Sequence, residues 1–406
     1  MILSGESIYL LTYVLARIFR PTFLDVFNLT NLQLGSLFSI YGTIAIFSYF
    51  FGGLIADRFP PGKLMGVALV LTALGGFVMA TFPSFFVLQI LYAYWGVTTV
   101  YLFWGAMIKA TRLWGGDKNQ GKAFGLLDAG RGAIAALTGS IGVLIFSKVL
   151  KTSSDLESII HRQEAFRIVI LSSSFFVIIV GISVFFLMKS ELKNQPQKNI
   201  LSTTLKNISS VLKFRSVWLM MIIIISAYVG YKLTDIYSLY AFEIMKYNEI
   251  KSVKVASLQL YLRPIVCLFF GFLADKSSSI KWIIIGFNIM LLGSLIFASG
   301  IISYNMNFIF LLSLVITAVG TYAVRALYFS VFNEGCIPIK MTGTAVGIIS
   351  IVGYTPDIFA TPIIGYLLDN YPGPLGYQYL FMMLFLFSLL GLIASINFSK
   401  NLKNSL

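Results

Sequence analysis

Charge is what this chain has least of. Only 11% of its 406 residues are charged, where a soluble domain averages about 25%. Acidic residues are scarcest, 16 against 30 Lys and Arg. His161 is the sole histidine, which excludes a His-based metal site or a histidine-dependent catalytic triad by count. The two cysteines, Cys267 and Cys336, both fall within or at the end of apolar runs and make no disulfide framework. What fills the chain instead is 58% hydrophobic residues, with a mean hydropathy of +0.86. So little polar sequence cannot cover a water-soluble surface, and the chain reads as an integral membrane protein in a lipid bilayer. The net charge of +14 raises nucleic-acid binding. No basic face stands outside the apolar runs, so no nucleic-acid partner is expected. Cytoplasmic loops are the better place for that charge.

Apolar runs of about 20 residues are the unit of a helical membrane protein. Twelve are present, at roughly 7–27, 33–56, 64–82, 84–109, 122–149, 165–188, 217–242, 254–274, 280–301, 307–334, 343–368 and 376–397. The first begins almost at once and is long enough to span, so it reads as a mature helix and not a cleaved signal. A polar segment carrying Lys189, Lys193, Lys198, Lys206, Lys213 and Arg215 divides the runs six and six. The expected organisation is therefore a six-helix bundle over 1–188, a cytoplasmic linker over 189–216 and a second bundle over 217–406. Lys and Arg concentrate in the turns after the even-numbered helices, including Arg58, Lys63, Arg112, Lys276 and Lys340. The positive-inside rule then places both termini in the cytoplasm of a cell (inner or plasma) membrane.

The halves repeat. Thr12-Tyr13-Val14-Leu15-Ala16-Arg17 in the first run is echoed by Ala227-Tyr228-Val229-Gly230-Tyr231-Lys232 in the seventh. Each places a cation four residues after a tyrosine, deep in an apolar run. Gly53-Leu54-Ile55-Ala56-Asp57-Arg58 closes the second run, and Gly271-Phe272-Leu273-Ala274-Asp275-Lys276 closes the eighth. Gly121-Lys122-Ala123-Phe124-Gly125 and Gly343-Thr344-Ala345-Val346-Gly347 open the fifth and eleventh. Parallel repeats with a site at their interface are a known transporter plan.

On these residues the chain resembles the major facilitator superfamily. The stretch Gly53 to Phe59 with Gly62-Lys63 is similar to that superfamily's loop 2–3 signature, G-x-L-A-D-R-x-G-R/K, with one extra proline. The resemblance implies an all-α fold of two pseudo-symmetric six-helix bundles rocking about a central cavity. Arg112-Leu113-Trp114, Gly121 to Gly125 and Gly130-Arg131-Gly132 resemble the helix 4–5 region of organophosphate:phosphate antiporters. In that group, paired cations on helices 1 and 7 hold the phosphoryl group, and Arg17 and Lys232 stand at matching places. Lys at the second departs from the pattern, since only Arg offers a bidentate fork.

An intramembrane cation is costly enough to suggest function. Arg17 and Lys232 are therefore the first candidates for binding an anionic small molecule, with Tyr13 and Tyr228 on the same helical faces. They are expected to face each other across an open gap, with a pairing of Lys232 to Asp235, three residues on, as the alternative for that lysine. Arg263 and Arg325, each bounded by tyrosines, are further anion contacts or partners of acids. Arg131 follows Asp128 by three residues and suits an internal ion pair. Arg20 suits a rim position. Asp357, with no cation within helical reach, is the candidate for proton coupling. Asp57, Arg58 and Asp275 are expected gate parts. Gly116 to Lys122 reads as a P-loop fragment, but Ala123 replaces the required Ser or Thr and no strand precedes it. The expected activity is secondary transport of a small phosphate- or carboxylate-bearing organic anion by alternating access, as exchanger or with protons, by a monomer without cofactor or enzymatic chemistry. Two alternatives stay open: a proton-driven exporter of neutral or cationic compounds using Asp357, and a non-transporting sensor on the same scaffold.

Overall fold

The structure, a computed structural model, describes all residues except 116–119, 152–158, 189–211, 329, 333, 336–341 and 406. The described chain is helical throughout, in twelve antiparallel passes. The first, α1, is assembled from Ile2–Ser7, a π turn at Leu10–Val14, Leu15–Ile18 and Arg20–Val26. Then follow α2 (Asn31–Arg58), α3 (Pro61–Met79), α4 (Phe85–Gly96 continuing through a π stretch Val97–Trp104 into Gly105–Gly115), α5 (Gln120–Lys151) and α6 (Ile159–Leu187). The second set is α7 (Arg215–Leu233, a 3-10 turn Thr234–Ile236, Tyr237–Glu243), α8 (Glu249–Asp275), α9 (Ser279–Ala298), α10 (Asn307–Leu327), α11 (Thr342–Gly353 and Pro356–Asn370) and α12 (Pro374–Ser405).

Eleven helices among the described residues are long and apolar enough to cross a membrane. The exception is α1, expected as one run over 7–27. It starts five residues earlier and is divided by the π turn and by Phe19, whose ψ of 34° interrupts the helix. Pro21 follows two residues later. It has no N–H to continue the ladder and sits at the start of the next helical piece, where none is needed. Helix α11 is divided in the same manner, at Tyr354 and Thr355 ahead of Pro356.

Buried apolar residues form two clusters. One runs from Ile8 to Val184 and takes in Val253 and Leu260 of α8. The other runs from Val217 to Phe398. Large apolar side chains such as Phe86, Phe186, Ile265 and Phe308 point outwards. That inversion suits a lipid surround.

At the end that carries the turns after α1, α7 and α11, the two helix sets meet without space for side chains. A Cβ on Gly35 of α2 would overlap the carbonyl of Thr361 on α11, and one on Gly365 would overlap the carbonyl of Asn31. Thr361 Oγ1 donates to the Gly35 carbonyl at 3.1 Å and Ser39 Oγ to that of Ile358 at 2.8 Å. Asp369 accepts from the backbone N–H groups of Asn31 at 2.9 Å and Leu32 at 2.6 Å. A carboxylate there satisfies orphan donors and complements the positive end of the α2 dipole. This is the sealed end. The opposite end, where α6 stops and α7 starts, is the linker end.

Candidate functional site

The helix interruptions gather charged side chains at the centre of the bundle. Arg17 sits two residues before the break in α1, and Asp235 lies in the 3-10 turn of α7. They form a buried ion pair through Arg17 Nε. Asp235 also lies 3.7 Å from Lys232, and Lys232 is 2.9 Å from Asp357, just past the break in α11. Tyr228 donates its hydroxyl to the other Asp357 oxygen at 3.1 Å. Two cations and two carboxylates thus form one neutral quartet drawn from α1, α7 and α11. The open gap expected between Arg17 and Lys232 is absent. Asp235 occupies it, because two like charges this close in low dielectric need a counter-charge between them.

A second quartet lies nearer the linker end. Glu6 of α1 accepts from Arg131 Nε at 3.1 Å and lies 3.8 Å from Arg263. Asp128 of α5 accepts from Arg263 at 2.7 Å and is 3.9 Å from Arg131. The close i,i+3 pairing suggested by the sequence is therefore the longer of the Arg131 contacts, and Glu6 is its nearer partner. Again the charges cancel, and the group joins α1 and α5 to α8.

Arg325 of α10 belongs to neither quartet. Among the described residues it makes no ion pair or hydrogen bond, and its Nε and Nη1 are shielded from solvent without a partner. Its guanidinium lies over the Tyr231 ring at 3.8 Å. Arg17 also packs on that ring, at 4.5 Å, and donates to the Tyr231 hydroxyl at 3.0 Å. Tyr231 therefore has cations at its face and at its oxygen. Face contact is electrostatically favourable, by about 0.5–2 kcal/mol per cation, but it does not neutralise the charge.

Aromatic side chains extend from this point towards the linker end. Tyr228 meets Tyr231 at 5.7 Å and Tyr354 at 4.9 Å between ring centroids. Tyr354 in turn stacks on Tyr49 of α2 at 6.0 Å and edges Trp104 of α4 at 6.4 Å. These three rings join the two helix sets below the charged centre. Arg325, Asp128, Tyr49 and Trp104 keep partial exposure on this side. The centre is thus shielded by rings at the linker end and by backbone at the sealed end.

The candidates named from sequence fall as follows. Arg17, Lys232, Tyr228, Arg263, Arg325 and Asp357 are brought together. Tyr13 joins them but is exchanged between partners. Its ring lies beneath Lys232 at 4.3 Å, not beside Arg17. The π turn that contains Tyr13 widens the helix and breaks the simple four-residue face. Arg20, expected at a rim, is buried and donates to Asn31 at 3.0 Å, within the sealed end. The side chains of the gate candidates Asp57, Arg58 and Asp275 lie outside the described residues, as do the P-loop fragment 116–119, most of the linker, and Cys336. Sequence reading passed over Glu6, Tyr231, Trp104, Tyr354 and Asp369. Glu6 could have been flagged as an acid at the head of an apolar run, and Tyr231 as the neighbour of Lys232. The rings carry no sequence signal that separates them from packing groups.

Residues 2–361 match the model of the Major Facilitator Superfamily. The chain belongs to that superfamily. It is 25% identical over 391 residues to the inner membrane protein YqcE of Escherichia coli K12, covering 94% of this chain and 88% of that one. It is also 25% identical to YihN, an inner membrane protein of the same organism, over 98% of this chain and 94% of that one. A solved D-xylose–proton symporter shares the fold with a TM-score of 0.76 at 15% identity, over 98% of this chain and 95% of that one. A bacterial homologue of the human lysosomal transporter Spinster, solved inward-facing and unoccupied, gives 0.72 at 15% identity, over 98% and 96%. The protein is a multi-pass membrane transporter of the major facilitator kind, whose family and fold are those of transporters and not of enzymes.

Proposed function

We propose that the protein is a secondary active transporter that moves a small organic anion by alternating access. The observation that carries this reading is Arg325, a buried cation that makes no ion pair of its own among the described residues, since Asp128, the acid that acts on it, is already held by Arg263 and Arg131. Burying such a charge unpaired is expensive, and an anionic cargo would supply the missing partner. Arg is suited to that task because its planar fork can hold a carboxylate, sulfo or phosphoryl group at two points. Tyr228, Tyr231 and Tyr354 would line the path to it, with the linker end facing the cytoplasm.

The Lys232–Asp357 pair offers a coupling element. A proton on Asp357 would release Lys232 and weaken the link between α7 and α11, so proton binding and rearrangement would be linked. The same element would serve a proton-driven exporter; what favours an anion over a neutral or cationic cargo is the extra cation, Arg325, at the centre.

The test is counterflow uptake of radiolabelled carboxylates and phosphate esters by purified protein in proteoliposomes. Arg325→Gln is expected to bring anion uptake to background while the protein still elutes as a monodisperse peak. Undiminished uptake by that variant would remove Arg325 from the binding site.

A further inference from the structure

We infer that the central site selects for cargo bearing a single negative charge, and that a ring or other apolar body next to the charged group completes the fit. This rests on the anion-carrier reading above and narrows it. The argument is a count of charge. Arg17 and Lys232 face Asp235 and Asp357, and Arg131 and Arg263 face Glu6 and Asp128, through contacts of 3.9 Å or less. Each quartet sums to zero. Arg20 lines the small cavity beside Lys232 and Asp235, but it is bonded to Asn31, whose amide is held by Asp369, so its charge is answered within the sealed end. Arg325 then adds the remaining charge among the described residues of the centre, a surplus of one. A monoanion neutralises it. A dianion leaves one negative charge over, in surroundings that are mostly ring faces and hydrocarbon, and the second charge must either remain unpaired or draw a cation out of a quartet and strand its carboxylate.

The surroundings say what lies beside the charged group. Arg325 is 3.8 Å from the centroid of Tyr231 and 5.9 Å from that of Tyr228. The rings of Tyr228, Tyr354, Tyr49 and Trp104 continue from there, each within 6.1 Å of the next between centroids, and Arg131 meets only the last of them, at 5.9 Å. Ring faces favour flat or apolar groups and give little to a second ionised one. The sequence resemblance to organophosphate antiporters would favour a phosphoryl dianion, so the charge count separates the two expectations.

Sulfate and phosphate monoesters of the same alcohol are nearly isosteric. The sulfate ester stays a monoanion, while the phosphate ester loses its second proton near pH 6. Thermal-shift titration of the purified full chain would use three such pairs, the methyl, phenyl and glucose 6-esters, with glucose as the neutral control. At pH 8 the sulfate member of a pair that binds should do so at least roughly tenfold more tightly, and the phenyl and glucose pairs more tightly than the methyl pair. At pH 5 the two members should converge, with the sulfate ester reporting any pH effect on the protein itself. Equal or tighter binding of the phosphate esters at pH 8 would overturn the single-charge inference and leave the anion-carrier reading standing. A shift produced by glucose and by none of the six esters would overturn both. Asp357→Asn adds one positive charge and should move the preference towards the phosphate ester. If that variant does not fold, Asp128→Asn, at a side chain 27% exposed, makes the same change of charge, and an unaltered preference in either would count against the inference.

Discussion

The two ends of the central path are closed by different physics. At the sealed end, α2 and α11 touch backbone to backbone. Gly35 and Gly365 leave no room even for a methyl group, and Asp369 binds the first N–H groups of α2 from across the interface. At the linker end, contact is made by side chains: the rings of Tyr49, Trp104 and Tyr354, with centroids 6.0–6.4 Å apart, and the quartet that ties Arg263 to Glu6 and Asp128. Rings can rotate aside within their own helices, whereas a backbone contact opens only if whole helices separate. The difference teaches which step is costly. Opening the linker end needs the three rings to turn and the contacts of Arg263 with Glu6 and Asp128 to adjust, all at side chains, whereas opening the sealed end needs packed backbones to separate. Between them, Asp235 holds Arg17 of one set and Lys232 of the other, so any rocking motion must alter that contact.

This comparison can be broken or sharpened by substitution. The largest effect is expected for Asp235→Ala, which leaves two buried cations facing each other. Loss of one partner from a buried pair costs about 3–5 kcal/mol, to be read as a fall in denaturation midpoint of the purified protein. Next is Gly35→Ala. Its new Cβ meets a backbone carbonyl, so the sealed end cannot close, at a cost of roughly 1–3 kcal/mol. Maleimide labelling of a reporter Ser39→Cys should be slow in the parent and fast beside Gly35→Ala, and equal rates would contradict the backbone seal. Asp369→Asn weakens charge-assisted bonds worth about 1.5–3 kcal/mol each and should raise labelling of the same reporter by a smaller factor. The smallest effect is expected for Tyr354→Leu. It removes ring contacts worth about 0.5–1.5 kcal/mol and keeps an apolar side chain in their place. It should speed access from the linker end while leaving Ser39→Cys labelling unchanged. If Tyr354→Leu alters the sealed end as much as Asp369→Asn does, the two closures are not separate.

The scaffold was legible because lipid enforces it. Runs of apolar length, turns rich in Gly and Pro, and the Asp57–Arg58 and Asp275–Lys276 repeats are local signals, and observed helix ends depart from the expected ones by a few residues, up to eight at the end of α12. The interruption of α1 was not legible. A π turn at Leu10–Val14 depends on tertiary packing and no residue type announces it. Intramembrane charges stood out singly for the same reason as the helices did, since each is rare in an apolar run. Of their pairing, only the i,i+3 contacts Asp128–Arg131 and Lys232–Asp235 were within reach of the sequence; the long-range pairs were not. Glu6 and Arg131 are 125 residues apart, and Arg17 and Asp235 are 218 apart, so the decision as to which cation lacks a partner exists only in three dimensions. That is why Arg17 and Lys232 drew attention first and Arg325 holds the uncompensated charge.

The central claim is that one surplus positive charge, carried by Arg325, is what an anionic cargo meets. Equilibrium binding of the tightest anion from the ester series to Arg325→Gln, and to Arg325→Gln combined with Asp128→Asn, tests it most directly. The account predicts that the single variant loses binding by at least roughly a hundredfold, and that the double variant, again one positive charge in excess, regains part of it. Binding by the single variant at parental affinity would contradict the account.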